Sequence, residues 1–218
     1  MSANYTLILA SKNYSSWSLR PWLAMKMADI PFTEEIIPLY TPQTKERIAP
    51  LSPSGKLPVL KIEEKGKTHS VWDSLAICET LAERHPEKAF WPRHSAQRAE
   101  ARSICAEMHS GFPDVRKTLP MDLATAQATP ELDENVQVQI ARIAAMWTSL
   151  LERFGDGGGF LFGGFSIADC FYAPVVTRFD TYAIELPPLA RAYAQRIRAL
   201  PPMQEWTEAA RKEPKRQD

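Results

Sequence analysis

The sequence predicts an α/β domain followed by an all-α domain. Residues 5 to 85 alternate short apolar runs with amphipathic stretches. From Ala96 onward every long segment has a helical pattern, and no strand alternation recurs. Between them, Glu87 to Ser95 follows Pro86, contains Pro92 and has few periodic apolar positions, as a linker does. We therefore expect an α/β domain over 1–86, a linker over 87–95 and a helical domain over 96–218.

Tyr5 to Ala10 is the first strand, apolar enough to be buried. Leu19, Trp22, Leu23, Met25 and Met27 then mark a helix, and Pro21 is expected in its first turn, where a missing N–H costs little. Asp29-Ile30-Pro31 ends that helix, Phe32 to Ile37 is a second strand, and Gln43 to Ile48 is a short helix. Val59–Ile62 and Thr68–Val71, joined through Gly66, form a hairpin. A further helix starts at Asp73 or its neighbour, carries Leu75, Ile77, Cys78, Leu81 and Ala82, and stops at His85-Pro86. The order β-α-β-α-β-β-α is that of the thioredoxin-like fold, a parallel βαβ half joined to an antiparallel hairpin half. Helices over 96–111, 131–154, 167–182, 188–199 and 202–211 follow, separated by Pro- or Gly-marked breaks. Ser166-x-x-Asp169 before an apolar run is a capping-box pattern whose reading is structural.

Composition narrows the function class. With 44% hydrophobic and 24% charged residues the chain can build real cores. The 26 basic and 26 acidic residues cancel, which argues against a nucleic-acid partner and gives no pull toward a membrane surface. No run is long enough to span a bilayer, and Met1 to Ala10 lacks the basic and apolar regions of a secretion signal. Cys78, Cys105 and Cys170 are odd in number, widely spaced and without a CxxC pair. They exclude a disulfide framework and a zinc site, and suit a reducing cytoplasm as small buried hydrophobes.

The segment that carries chemistry is Tyr14-Ser15-Ser16-Trp17-Ser18-Leu19-Arg20, between the first strand and the first helix. Redox members of a thioredoxin-like fold place CxxC there. Ser15-x-x-Ser18 cannot form a disulfide, so dithiol chemistry is excluded at this position. A helix N-terminus offers free N–H groups and about half a positive charge, to which a serine hydroxyl adds a donor. Two readings stay open: an anion site that would serve a cofactor's thiolate, or simple capping of the helix.

Three other sites bear on that choice. Ser54-Gly55-Lys56-Leu57-Pro58 leads into a strand beginning at Val59. A cis Leu57–Pro58 bond there would turn the Leu57 backbone toward an extended peptide ligand, whereas a trans bond would make a plain turn. Asp73-Ser74 at a helix start puts a carboxylate, a hydroxyl and free N–H groups together. That set either caps the helix or holds the zwitterionic head of an amino acid. Met108, His109 and Phe112 lie near the end of the first C-terminal helix, where His109 is a packed histidine or a proton-transfer group.

Taken together, Ser15-Ser16-Trp17-Ser18-Leu19-Arg20, Gly55-Lys56-Leu57-Pro58, Asp73-Ser74 and Ser166-Ile167-Ala168-Asp169 resemble the cytosolic glutathione transferase superfamily over nearly the whole chain. The first segment is similar to the zeta-class serine motif, Ser-Ser-Cys-Ser followed by an apolar residue and Arg, with Trp17 in place of the cysteine. The resemblance implies glutathione as co-substrate, with no metal. It implies Ser15 facing the sulfur, with Ser16 as its substitute if the loop register differs by one. Leu57 would pair its backbone with the cysteinyl unit, Pro58 would be cis, and Asp73 and Ser74 would hold the γ-glutamyl end. Lys56, and more weakly Lys45, would reach the glycine carboxylate. A second-substrate pocket lined by Tyr14, Trp17, Met108, His109 and Phe112 would admit an apolar electrophile.

The function expected is therefore a cytoplasmic, homodimeric transferase that activates the glutathione thiolate for conjugation, as in detoxification. Isomerisation of maleylacetoacetate type through a transient glutathione adduct is the alternative, weakened by the missing cysteine. A non-catalytic protein that binds through the same fold is another, and peroxidase or dehalogenase chemistry on the same site is not distinguished by residues alone.

Overall fold

The computed structural model describes residues 3–214. Strand β1 (Asn4–Ala10) lies inside a four-stranded sheet of order β2-β1-β3-β4, completed by β2 (Thr33–Ile37), β3 (Val59–Glu64) and β4 (Lys67–Trp72). β1 runs parallel to β2, with Leu9 opposite Ile36, and antiparallel to β3, with Leu7 opposite Leu60. A parallel pair needs a crossover, and α1 (Ser16–Met27) supplies it. The unbroken apolar run of β1 is explained by burial on both faces. Leu7 and Leu9 join Leu60, Ile62 and the helices α1 and α3 (Ser74–Arg84) on one side. Ile8, Val59 and Ile37 pack with Ile48 of α2 (Thr44–Ile48) on the other.

The rest is helical: α4 (Ser95–Ser110), α5 (Pro113–Thr118), α6 (Glu134–Phe154), α7 (Ile167–Thr181), α8 (Pro188–Ala199) and α9 (Pro201–Arg211). The expected class, an α/β sheet domain with helical domain, is the one observed. One apolar core runs from the sheet through α1 into α7, taking in Trp22, Phe171, Trp147 and Trp206. The three cysteines are buried and unpaired, and burial pushes their thiols up, away from ionisation. Among the described residues no helix is long and apolar enough to cross a membrane, and no group of three or more His, Cys, Asp or Glu is placed to hold a metal.

Two local expectations need correcting. Helix α1 begins at Ser16, so Pro21 sits in its second turn rather than its first. The serines look like turn residues in sequence, but Ser15 caps the helix and extends it backward by one turn. α5 was not expected, because Val115 is its one buried apolar residue. It is started instead by backbone geometry, with Phe112 in the left-handed region at φ 56° and Pro113 at the first helical position.

The capping box is present where expected. Asp169 is fully buried, and its carboxylate accepts from the Ser166 amide at 2.8 Å, the Ser166 hydroxyl at 3.2 Å and the Leu161 amide at 3.2 Å. Burial pushes its carboxyl up to about 6 against those three donors. Asp169→Ala strands two buried amides, and we expect it to lower stability in urea unfolding by about 3 kcal/mol; a loss below about 1 kcal/mol would show the box to be dispensable.

Candidate active site

A cleft of about 1090 Å³ opens above the C-terminal end of β1, bounded by the start of α1, the segment before β3, the start of α3, and residues of the helical half. Of the residues expected at a site, Tyr14, Ser15, Ser16, Trp17, Lys56, Leu57, Pro58, Asp73, Ser74 and His109 all line it. Lys45 is exposed on α2 and is not part of the lining, because the short helix turns it outward. Met108 and Phe112 are also outside it. Both are buried in the core, and only the neighbouring His109 is directed to the cleft. The helical half contributes Pro120, Met121 and Tyr182 to the lining instead.

Ser15 is the N-cap of α1: its hydroxyl oxygen accepts from the Ser18 amide at 3.2 Å, and its hydroxyl donates to Ser18 Oγ at 2.8 Å. Ser18 Oγ in turn accepts from the Ala10 amide at 3.0 Å, which ties the helix start to the end of β1. Ser16 Oγ accepts instead from Arg178 Nη2 at 3.2 Å. The amides of Ser16 and Trp17 open the helix without intrahelical partners, as the first amides of any helix do. Both serines are buried at the cleft wall.

On the neighbouring wall the Leu57–Pro58 bond is cis and leads directly into β3. Gly55 holds φ 66°, a left-handed value that suits glycine. Asp73 caps α3 at φ 77°; its Oδ1 accepts from the Leu75 amide at 2.8 Å, and its Oδ2 lies 3.1 Å from His109 Nε2. The next residue, Ser74, accepts from Arg20 Nη1 at 3.3 Å.

Two arginines, Arg116 and Arg178, also line the cleft, and a third, Arg20, stands behind Trp17, outside the lining. Arg20 is buried between the rings of Trp17 and Phe171, 4.3 and 4.5 Å from their centroids. Arg116 lies 5.0 Å over Trp17 and donates to the carbonyls of Met108, His109 and Gly111, closing the end of α4. Arg178 donates to Ser16 Oγ and to the Leu119 carbonyl. No carboxylate forms an ion pair with any of the three among the described residues. Burial, reinforced by the mutual repulsion of these arginines, depresses Arg20 to about 9 and Arg178 to about 10. An arginine in the mostly apolar stretch Tyr172-Ala173-Pro174-Val175-Val176-Thr177-Arg178-Phe179 is the available signal. Trp17, standing where the resembled motif has cysteine, thus serves as a platform for two guanidinium groups.

The N-terminal domain model of glutathione S-transferases matches residues 14–84, and the C-terminal domain model of the same family matches residues 96–209. The chain belongs to the glutathione S-transferase family. It is similar to the maleylacetoacetate isomerase of Anaeromyxobacter dehalogenans, at 26% identity and a TM-score of 0.70 over 97% of each chain. That protein has been crystallised with glutathione and with dicarboxyethyl glutathione and citrate in its active site. A probable maleylacetoacetate isomerase of Caenorhabditis elegans is 28% identical over 110 residues, 50% of each protein, so the match spans half the length of that curated relative. The epsilon-class glutathione S-transferase of the housefly, Musca domestica, shares the fold, with a TM-score of 0.70 at 18% identity over 96% of this chain and 94% of its own.

The pair formed by His109 and Asp73 is directly testable. Burial pulls the imidazole pKa down, Asp73 pulls it up, and Arg20 and Arg116 pull it down again. Asp73→Asn retains the shape and tolerates the positive φ, but removes the charge. By NMR titration we expect His109 to lie below its usual 6.5 in the parent and to fall further in the variant; a rise would show that the carboxylate is not the partner.

Proposed function

We propose that this chain is a glutathione-dependent enzyme that holds the tripeptide along the N-terminal wall of the cleft and places its sulfur at the start of α1. The observation that carries this reading is the convergence of three separate segments, Ser15-Ser16, Lys56-Leu57 and Asp73-Ser74, on that wall. Each meets one part of the tripeptide by its own chemistry. Asp73 and Ser74 suit the ammonium and carboxylate of the γ-glutamyl end, the Leu57 backbone the cysteinyl unit, and Lys56 the glycine carboxylate. Lys45 is left out. The glutathione-bound relative at 26% identity supports the assignment.

The serines then serve the thiolate. Bringing a thiol from about 8.5 to about 6.5 requires about 2.7 kcal/mol in favour of the ionised form. A hydrogen bond to a charged group contributes about 1.5–3 kcal/mol, and the helix terminus adds to it. Ser15 must redirect its proton from Ser18 Oγ to donate, whereas Ser16 already receives Arg178 and keeps its own proton for the sulfur. The thiolate attacks the electrophilic carbon of the second substrate, which the cleft holds at bonding distance.

The arginine cluster favours a second substrate that carries a carboxylate. Conjugation of such an acid, or its isomerisation by thiolate addition, bond rotation and elimination of the same thiolate, both fit. The isomerase names of the relatives support the second of these. The reading also takes the protein to be a cytoplasmic homodimer, as the family resemblance implies.

Calorimetry with glutathione tests the first half; absence of binding would favour a protein that uses the fold without catalysis. Ser15→Ala and Ser16→Ala, assayed separately, are expected to cost about tenfold to a hundredfold in kcat/KM for whichever hydroxyl meets the sulfur; full activity in both would remove the serines from the mechanism. For Arg178→Met we expect a loss of about tenfold or more toward a carboxylate-bearing electrophile and little change toward a neutral aryl halide. Equal losses on both would mean that Arg178 only supports the fold.

A further inference from the structure

The turn that delivers the two serines is held by a residue near the far end of the chain. Glu213, two residues beyond α9, places one carboxylate across two consecutive amides: Oε1 accepts from Lys12 N at 2.7 Å and Oε2 from Asn13 N at 3.0 Å. The same turn is closed on itself by the Tyr14 and Ser15 amides, which donate to the Ser11 carbonyl at 3.2 and 2.9 Å. Trp206 of α9 donates its indole N–H to the Lys12 carbonyl at 2.9 Å. The Lys12 ammonium lies between the rings of Trp22 and Trp206, 5.0 and 5.1 Å from their centroids, and pairs with Glu34 at 2.6 Å. Asn13 Oδ1 accepts from the amides of Leu123 and Ala124 at 2.7 and 2.9 Å.

Lys12 and Asn13 are buried, so their amides must have acceptors inside the protein. Within the turn, the Ser11 carbonyl already accepts from Tyr14 and Ser15, and the Lys12 carbonyl from the Trp206 indole. A carboxylate reaching across from the end of the chain satisfies both donors at once, with short, charge-assisted bonds. Glu213 does not line the cleft; it sits behind the turn, in a groove with Ser11, Leu39 and Pro42. We propose that Glu213 is a positioning residue for catalysis, the brace that fixes Ser15 and Ser16 against the glutathione sulfur. This rests on the reading of the cleft given above.

The sign of the effect separates this role from a simple field effect. Glu213 is an anion near the start of α1, so by charge alone its removal favours the thiolate and lowers the pKa of the bound thiol. If its work is to hold the turn, removal loosens the hydroxyl geometry and raises that pKa. Glu213→Gln retains the length, but turns an NH2 group toward an amide donor.

The experiment titrates glutathione bound to the parent protein and to Glu213→Gln, following the thiolate by ultraviolet absorbance. It also measures amide hydrogen exchange of Lys12 and Asn13 without glutathione. The proposal expects faster exchange at both amides, a thiol pKa higher by about one, and hence about tenfold less thiolate and about tenfold lower kcat at a pH below the pKa. KM for glutathione should stay within about twofold, because the γ-glutamyl contacts are untouched. Unchanged exchange at Lys12 and Asn13 would overturn the brace whether or not glutathione binds. Faster exchange with an unchanged or lowered thiol pKa would overturn the positioning role and leave Glu213 as a structural acceptor. If the parent fails to bind glutathione at all, it is the reading of the cleft that falls, and the exchange result still stands on its own.

Discussion

Helix α1 is buried along almost its entire length, from Ser16 to Met25, because it is shared by two packing partners. It lies on the sheet beside α3 on one side and against α7 on the other. A helix so enclosed cannot shift by a residue without opening a cavity in the common core, and burying or losing a methylene there carries a real cost. Everything at the site inherits its precision from that constraint. The N-terminus of α1 is the one end that reaches the cleft, so the core fixes where Ser15 and Ser16 sit before any ligand arrives.

The polar residues inside this interface are arranged to make the enclosure tolerable. Arg20 would be costly to bury alone, and its guanidinium is compensated by two aromatic faces and one hydroxyl rather than by a carboxylate. Arg116 and Arg178 reach the cleft without an ion-pair partner among the described residues, while Arg20 stays behind Trp17.

The turn before α1 shows a different solution. Its amides are satisfied by the distant Glu213 and by its own Ser11 carbonyl, and its side chains anchor into α9 and the 122–124 segment. Lys12 is a buried cation between two tryptophans. Contacts some two hundred residues apart in sequence thus decide the shape of a turn of four residues.

Periodicity and punctuation in the sequence were enough to determine the element order through α4, the long helices after it, the cis-proline segment as a candidate, the capping box at Ser166, and most of one cleft wall. These are local: a strand end followed by Asp-Ser at a helix start has the same chemistry wherever the helix goes. The sequence did not determine the opposite wall. Arg116 and Arg178 reach the cleft only because α5 and α7 bring them there, and Met108 points to the core while its neighbour His109 does not. Nor did it reveal α5, whose start depends on one left-handed backbone angle, or the bond from Glu213 to Lys12 and Asn13. Such features depend on where remote segments meet and which way each side chain turns, which no local pattern of residues records.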